Sequence, residues 1–168
     1  MFEQRQQSLA RSEQIHDGQI EVESFAAHHY LLTPMPVEDN PMRNMQQIMQ
    51  HLQSAWEHSS YKAGCGSYIS LEKALQRQFD VYDGVFTPVD PQDDDSLFLL
   101  RPAGQYLCGY SVGSWDKLPE LYSHMIAYAK KHHLALTGNC YEIGLNEFAI
   151  SRPEEYVARV SILIDPKQ

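Results

Sequence analysis

The feature that most constrains the fold is an order of predicted elements, strand–helix–strand–strand, that runs twice along the chain. The first unit has a strand over 20–32, bent near Ala26–Ala27, a helix starting at Asn40–Pro41, and strands over 64–71 and 79–86, the last stopping at Thr87–Pro88. The second has extended segments 97–100 and 105–112, a helix capped by Ser114, and strands over 138–145 and 157–164. Two such units predict an α+β fold, in which one antiparallel sheet carries both helices on one face and leaves a concave face open for a ligand.

Both predicted helices carry apolar side chains at helical spacing, which indicates a face packed against the core. In the first helix these are Met42, Met45, Ile48, Met49, Leu52 and Trp56. In the second they are Leu118, Leu121, Tyr122, Met125, Ile126 and Ala129. A methionine-rich face also suits an adaptable binding surface, but core packing is the interpretation we favour for the first helix.

Residues 1–18 are predicted to be an N-terminal helix or linker that ends at Asp17–Gly18. Its apolar positions, Phe2, Leu9 and Ile15, are too sparse for a core-facing stripe. Such a helix is either a frayed end or the end of a longer dimerising helix, and the second arrangement would make the protein a homodimer. The ligand-binding domain is predicted to span residues 19–166.

The charge balance argues against direct contact with nucleic acid. Twenty-two acidic residues against thirteen Lys and Arg give a formal net charge of −9, and no basic stripe is present to neutralise phosphates. The cluster Lys130–His133 is typical of a helix end, where cations are favoured. Three widely spaced cysteines, Cys65, Cys108 and Cys140, favour a reducing compartment. With no signal peptide or membrane-spanning segment in the sequence, we expect a cytoplasmic protein that does not enter membranes.

Glu142 is the residue that stands out, because it lies mid-strand between Tyr141 and Ile143, where a carboxylate is costly without a partner. Strand alternation puts Tyr141, Ile143 and Leu145 towards the helices and Cys140, Glu142 and Gly144 on the open face. There Glu142 either faces solvent or pairs with Arg159, or it is a buried anion at the floor of a pocket for an organic cation. Tyrosines on predicted strands, Tyr68, Tyr82, Tyr106 and Tyr110, favour cation recognition, although each also suits core packing.

Several motifs resemble those of GyrI-like domains, the effector-binding domains of multidrug-sensing MerR-type activators and of some AraC-type regulators. They are Tyr141–Asn146, Glu154–Val160, Val81–Pro88 and the Pro-x-Gly-x-Tyr run within Leu99–Gly109, and they occur in the right order. The resemblance covers about residues 19–166.

The resemblance implies that Glu142 is the anionic centre of a drug-like cation site, with Glu155 as an auxiliary acidic contact and Tyr82 as a pocket aromatic. Tyr68 and Tyr110 join the ligand-binding set on strand parity alone. The ligand is expected to be cationic and aromatic, and its binding to shift the conformation of a DNA-binding domain in the full-length or a partner protein. Nothing in residues 1–17 resembles the winged helix-turn-helix of MerR-type regulators. The chain is therefore either an excised domain or a stand-alone module.

Three other functions stay open at this point. Some stand-alone GyrI-like proteins resemble hydrolases of small reactive compounds, and a desolvated Glu142 would suit a general base. A gyrase-inhibitor-like module would use the acids of 90–95 to bind protein, although such a turn is usually only solvated. A metal enzyme is disfavoured because His28–His29 and His132–His133 are adjacent pairs that do not chelate alone. We expect no cofactor, no metal and no catalytic residue.

Overall fold

The computed structural model describes residues 9–35, 41–58, 64–79, 81–90, 98–147 and 149–167. It contains strands β1 (Ile20–Phe25), β2 (His28–Pro34), β3 (Gly66–Ser70), β4 (Gly84–Val89), β5 (Leu99–Arg101), β6 (Gly104–Val112), β7 (Leu136–Gly144) and β8 (Val157–Ile164). The helices are α1 (Pro41–His58), α2 (Leu71–Leu75) and α3 (Leu118–Lys131), with single 3₁₀ turns at Trp115–Lys117 and Pro153–Glu155. The predicted α+β class is confirmed.

The eight strands form one antiparallel sheet in the order β1-β6-β8-β7-β3-β4-β2-β5. Arg101 on the edge strand β5 lies over the rings of Phe25 on the opposite edge and of Tyr106 on β6. Its Nη2 also donates a hydrogen bond of 2.9 Å to the carbonyl oxygen of Ala26, between β1 and β2. The sheet therefore curls until its two edges meet, with the face that carries no helix on the inside.

Both long helices pack on the outer face of the curled sheet. On α3, Leu121 and Met125 lie against Gly109 of β6, where a Cβ atom would collide with the Met125 side chain. On α1, the buried His51 is hydrogen-bonded through both ring nitrogens to the hydroxyls of Thr33 and Thr87, at 2.7 and 2.9 Å. Since Thr33 and Thr87 lie on neighbouring strands, His51 fastens α1 to the β2–β4 pair. None of the described helices is long and apolar enough to cross a bilayer.

The fourth strand differs most from its predicted bounds. It begins at Gly84, not at Phe79, and it continues through Thr87 and Pro88 to Val89. Pairing with β3 ends at Phe86, so Pro88 has a strand neighbour on one side only, opposite Tyr30 of β2. Proline is tolerated there because its nitrogen, which carries no hydrogen, is not required as a donor to a strand on the other side.

The prediction that the methionine face of α1 packs in the core is wrong. Met42 is 81% exposed, Met45 and Met49 are each 59% exposed and Trp56 is 61% exposed. The helix is instead buried along His51 and Ala55. The apolar spacing did not predict this orientation, because the helix turns His51 towards the sheet, where it is hydrogen-bonded to Thr33 and Thr87. The methionines consequently face away from the sheet.

The N-terminal segment is helical only to residue 12 in its described part, short of the predicted end at 17. Ile15 is buried against the inner-face tyrosines Tyr106 and Tyr110, and Asp17 forms an ion pair with Lys117. The segment from Arg11 onwards therefore contacts the domain that follows it. The predicted Asn40 cap and the Asp93–Asp95 turn lie outside the described residues.

Candidate functional site

Glu142 does not lie on the open face where strand alternation placed it. Its cross-strand neighbours are Ser67 on β3 and Val160 on β8, and Val160 belongs to the core beneath α3. Glu142 therefore points to the helix-packed side, whereas Tyr141 lies on the inner face. The prediction failed because both faces of β7 are buried, so an apolar row does not identify the helix side. A pair with Arg159 is also ruled out, since Arg159 is opposite Ile143.

The carboxylate of Glu142 is only 1% exposed and accepts two hydrogen bonds from phenols. The Tyr82 hydroxyl donates to Oε2 at 2.8 Å, and the Tyr122 hydroxyl donates to Oε1 at 2.6 Å. Tyr82 precedes β4, whereas Tyr122 projects from α3. Glu142 is thus the point at which the sheet, the helix and the segment before β4 are joined.

Further aromatic rings lie next to the phenols on this side of the sheet. Phe79 stacks on Tyr122 with ring centroids 5.0 Å apart, and Trp115 stacks on Tyr156 at 5.3 Å. A Cβ atom on Gly144 would approach the Tyr156 hydroxyl oxygen to 2.5 Å, so Tyr156 covers the same row of β7 as Glu142. We call Glu142 with the rings of Phe79, Tyr82, Tyr122 and Tyr156 the Glu142 cage.

Burial dominates the electrostatics of the cage. Desolvation raises the pKa of Glu142, and the hydrogen bonds from Tyr122 and Tyr82 partly oppose that rise. Burial and the neighbouring carboxylate together raise the pKa of Tyr82 and of Tyr122, so both phenols remain hydrogen-bond donors. Among the described residues, no Lys, Arg or His lies within ion-pair distance of Glu142. The cage therefore holds an acidic group to which the described residues supply no counter-ion.

The structure brings together only two of the five residues predicted to bind ligand, Glu142 and Tyr82. Tyr68 and Tyr110 lie across the sheet, on the inner face, in separate aromatic clusters. Glu155 lies in the surface turn Pro153–Glu155, where it bonds Arg152 and the backbone nitrogen of Ser151. The predicted set is thus divided between the two faces of the sheet and its surface.

Sequence reasoning missed Tyr122 and Tyr156 as members of the site. The helical spacing assigns Tyr122 to the apolar stripe of α3, yet a phenol in such a stripe needs a hydrogen-bond partner when it is buried. That requirement was the available signal for Tyr122. The sequence offered no such signal for Tyr156, because its position depends on the space that Gly144, which has no side chain, leaves on β7. Within the described part of the chain, no three His, Cys, Asp or Glu side chains are grouped so as to hold a metal ion.

Comparison with known proteins identifies relatives of this fold. The family model described as the GyrI-like small molecule binding domain matches residues 27–165. Among solved structures, the chain resembles EcmrR, a MerR-family protein, in its DNA complex, with a TM-score of 0.62 and 12% identity over 96% of this chain. It spans 65% of that EcmrR chain. No protein of curated function matches its sequence.

Two further structures extend the comparison. The isolated EcmrR C-terminal domain gives a TM-score of 0.60 at 11% identity, over 88% of this chain and 98% of that domain. A hydrolase from Listeria innocua gives 0.53 at 10% identity, over 95% of this chain and 98% of the hydrolase. At these identities the likeness is one of fold.

Proposed function

This chain belongs to the GyrI-like small-molecule-binding family, and we propose that it binds a lipophilic, aromatic organic cation at Glu142. The observation that carries the proposal is a buried carboxylate that has aromatic rings around it and no positive charge within ion-pair distance among the described residues. A cation bound there gains from the carboxylate by direct attraction and from the ring faces through their quadrupoles. An anion or a neutral molecule gains neither.

The cage is closed, so a ligand enters only when a ring moves. Tyr82 is the ring best placed to do so, because it is only partly buried and lies in the non-regular segment before β4. Tyr122 is held more firmly, since it is 1% exposed and fixed on α3. We therefore infer that the cation displaces the Tyr82 hydroxyl from Oε2 and leaves the Tyr122 hydrogen bond in place.

We further propose that the domain works as the sensor of a transcription regulator. Displacement of Tyr82 from Glu142 would shift the balance between two conformations of the domain, and a DNA-binding domain in the full-length or a partner protein would respond to that shift. The fold shared with EcmrR, whose chain is longer than the part matched here, supports this arrangement. In this proposal the chain itself makes no direct contact with nucleic acid, and the sensor acts as a homodimer.

A dye titration tests the cation site. Rhodamine 6G and fluorescein share a xanthene framework but carry opposite charge, so we expect rhodamine 6G to bind and fluorescein to bind the cage far more weakly. Glu142→Gln keeps the shape of the side chain and should weaken rhodamine 6G binding by about 1 to 3 kcal/mol. Glu120→Gln on the exposed surface of α3 is the matched control and should bind as the parent does. Equal affinity of the Glu142 variant and the parent would refute the site.

A hydrolytic role is the second candidate. The raised pKa of Glu142 and the two phenols on its carboxylate are features of a general base beside proton donors. The fold is also shared with the Listeria innocua hydrolase. Turnover of a neutral ester or a strained ring by the parent, and its loss in Glu142→Gln, would favour hydrolysis; binding of rhodamine 6G without any turnover favours the sensor.

A further inference from the structure

The inner face of the sheet carries two arginines that form no ion pair with any carboxylate in the described part of the chain. Arg101 on β5 is only 6% exposed, and Arg159 on β8 is half-buried. Among the described residues, no carboxylate lies within ion-pair distance of either guanidinium. The Nε atom of each is buried without a hydrogen-bond partner. A buried cation in this condition is costly unless something else supplies the negative charge.

The two guanidinium groups lie over the same aromatic ring. Their central carbons are 4.7 Å (Arg101) and 4.9 Å (Arg159) from the centroid of the same Phe25 ring. Both charges also act on the Tyr30 hydroxyl, where they oppose the rise in its pKa that burial causes. Arg101, Arg159 and Tyr30 thus present hydrogen-bond donors and positive charge to one region of the inner face.

Two acids on the same face, Glu21 and Glu23, share the guanidinium group of Arg11. Glu21 accepts a hydrogen bond of 2.5 Å from Arg11 and another of 3.1 Å from Gln19. Glu23 accepts a hydrogen bond from the Tyr110 hydroxyl and lies 3.6 Å from Arg11. Arg11 therefore serves both carboxylates, and neither forms an ion pair with the two inner arginines.

We propose that the inner face is a second binding site, which takes a small aromatic carboxylate between Arg101 and Arg159. Guanidinium groups bind a carboxylate through parallel charge-assisted hydrogen bonds, and the unpartnered Nε atoms supply such donors. The rings of Phe25, Tyr30 and Tyr106 around Arg101 suit a flat apolar body.

This site is independent of the Glu142 cage and opposite to it in charge. Tyr141 and Glu142 are consecutive on β7 and point to opposite faces of the sheet. The sheet itself therefore separates the two sites, so that a cation at Glu142 and a carboxylate at Arg159 occupy different compartments.

The test compares 2-naphthoate with its neutral analogue 2-naphthamide by calorimetric titration of the full chain. We expect 2-naphthoate to bind about tenfold or more tightly than 2-naphthamide, since only the carboxylate satisfies the arginines. Arg159→Gln should weaken 2-naphthoate binding by about tenfold or more and leave rhodamine 6G binding unchanged. Glu142→Gln should weaken rhodamine 6G binding and leave 2-naphthoate binding unchanged. Arg159 is the residue to change because it is less buried than Arg101, whose loss threatens the fold.

Three results would overturn the inner-face site. They are equal affinity for the two naphthyl compounds, no detectable binding of 2-naphthoate, and 2-naphthoate binding that Arg159→Gln leaves intact in a variant with the parent's melting temperature. None of them bears on the Glu142 cage, whose own test uses a cation.

Discussion

The Tyr122 hydroxyl on α3 donates a 2.6 Å hydrogen bond to Oε1 of Glu142 on β7, in the buried layer between helix and sheet. This bond joins a helix that begins at Leu118 to a strand that ends at Gly144. The group that we propose to bind ligand is thereby also a group that positions α3. In the proposed function, ligand binding and the position of α3 depend on the same carboxylate.

Removal of this hydroxyl should destabilise the protein. Tyr122→Phe leaves Oε1 of a buried carboxylate without its donor, at a cost of about 1 to 3 kcal/mol. Urea denaturation measures the loss. Tyr128→Phe on the same helix is the control, since the Tyr128 ring stacks on His132 at 4.1 Å and is only partly buried. A Tyr122 variant as stable as the Tyr128 variant would show that the bond contributes nothing.

The stability of the protein should depend on pH through Glu142. Burial raises the pKa of this carboxyl above its ordinary value of 4.5. The folded protein therefore holds the proton more tightly than the unfolded chain does, and its stability decreases as pH rises from 4.5 through the folded-state pKa. Glu142→Gln lacks this dependence, so the variant should gain stability relative to the parent as pH rises. Paired denaturation curves from about pH 4 to pH 8 measure the difference, and a flat difference contradicts the assignment.

His51 should produce a pH dependence of the opposite sign. Burial lowers the pKa of this imidazole below its ordinary value of 6.5. The unfolded chain takes up the proton first, so stability is lost as pH falls through 6.5 towards the folded-state pKa. In His51→Gln the advantage of the parent should shrink over that range. At neutral pH the exposed His124→Gln should remain close to the parent in its free energy of unfolding.

Gly144 is predicted to be intolerant of a side chain. A Cβ atom there would approach the Tyr156 hydroxyl oxygen to 2.5 Å and ring carbon Cε2 to 2.8 Å. Gly144→Ala should cost about 1 to 3 kcal/mol and displace Tyr156 from the cage. In a double-mutant cycle, Tyr156→Phe removes the closest contact and should recover part of the loss. Strict additivity of the two changes would mean that the residues do not touch.

The exposed methionines of α1 should be replaceable. Met45→Gln and Met49→Gln alter side chains that are 59% exposed, so each should change the free energy of unfolding by no more than about 0.5 kcal/mol. Met125→Ala on α3 is the contrast, because Met125 is 0% exposed and its truncation should cost about 2 to 5 kcal/mol. A large loss from either α1 variant would restore the core assignment made from spacing.

Local sequence patterns determined most of the element order and the fold class. The Pro41 start of α1, the break at 26–27 and the last strand at Val157–Ile164 are set by proline chemistry and by alternation, which act within a few residues. The need of Glu142 for a hydrogen-bond partner was also evident locally, since a carboxylate between Tyr141 and Ile143 on a strand needs a partner wherever it points.

Only the tertiary structure decided which way that carboxylate points. β7 is covered on both faces, so its apolar residues do not distinguish the helix side from the inner side, and the register with Val160 of β8 settles the matter. The Tyr122 and Tyr156 neighbours come from distant segments, and Arg101 and Arg159 lie over the same Phe25 ring only because the sheet curls. These are long-range consequences of strand order and curvature, on which the spacing of residues along the chain carries no information.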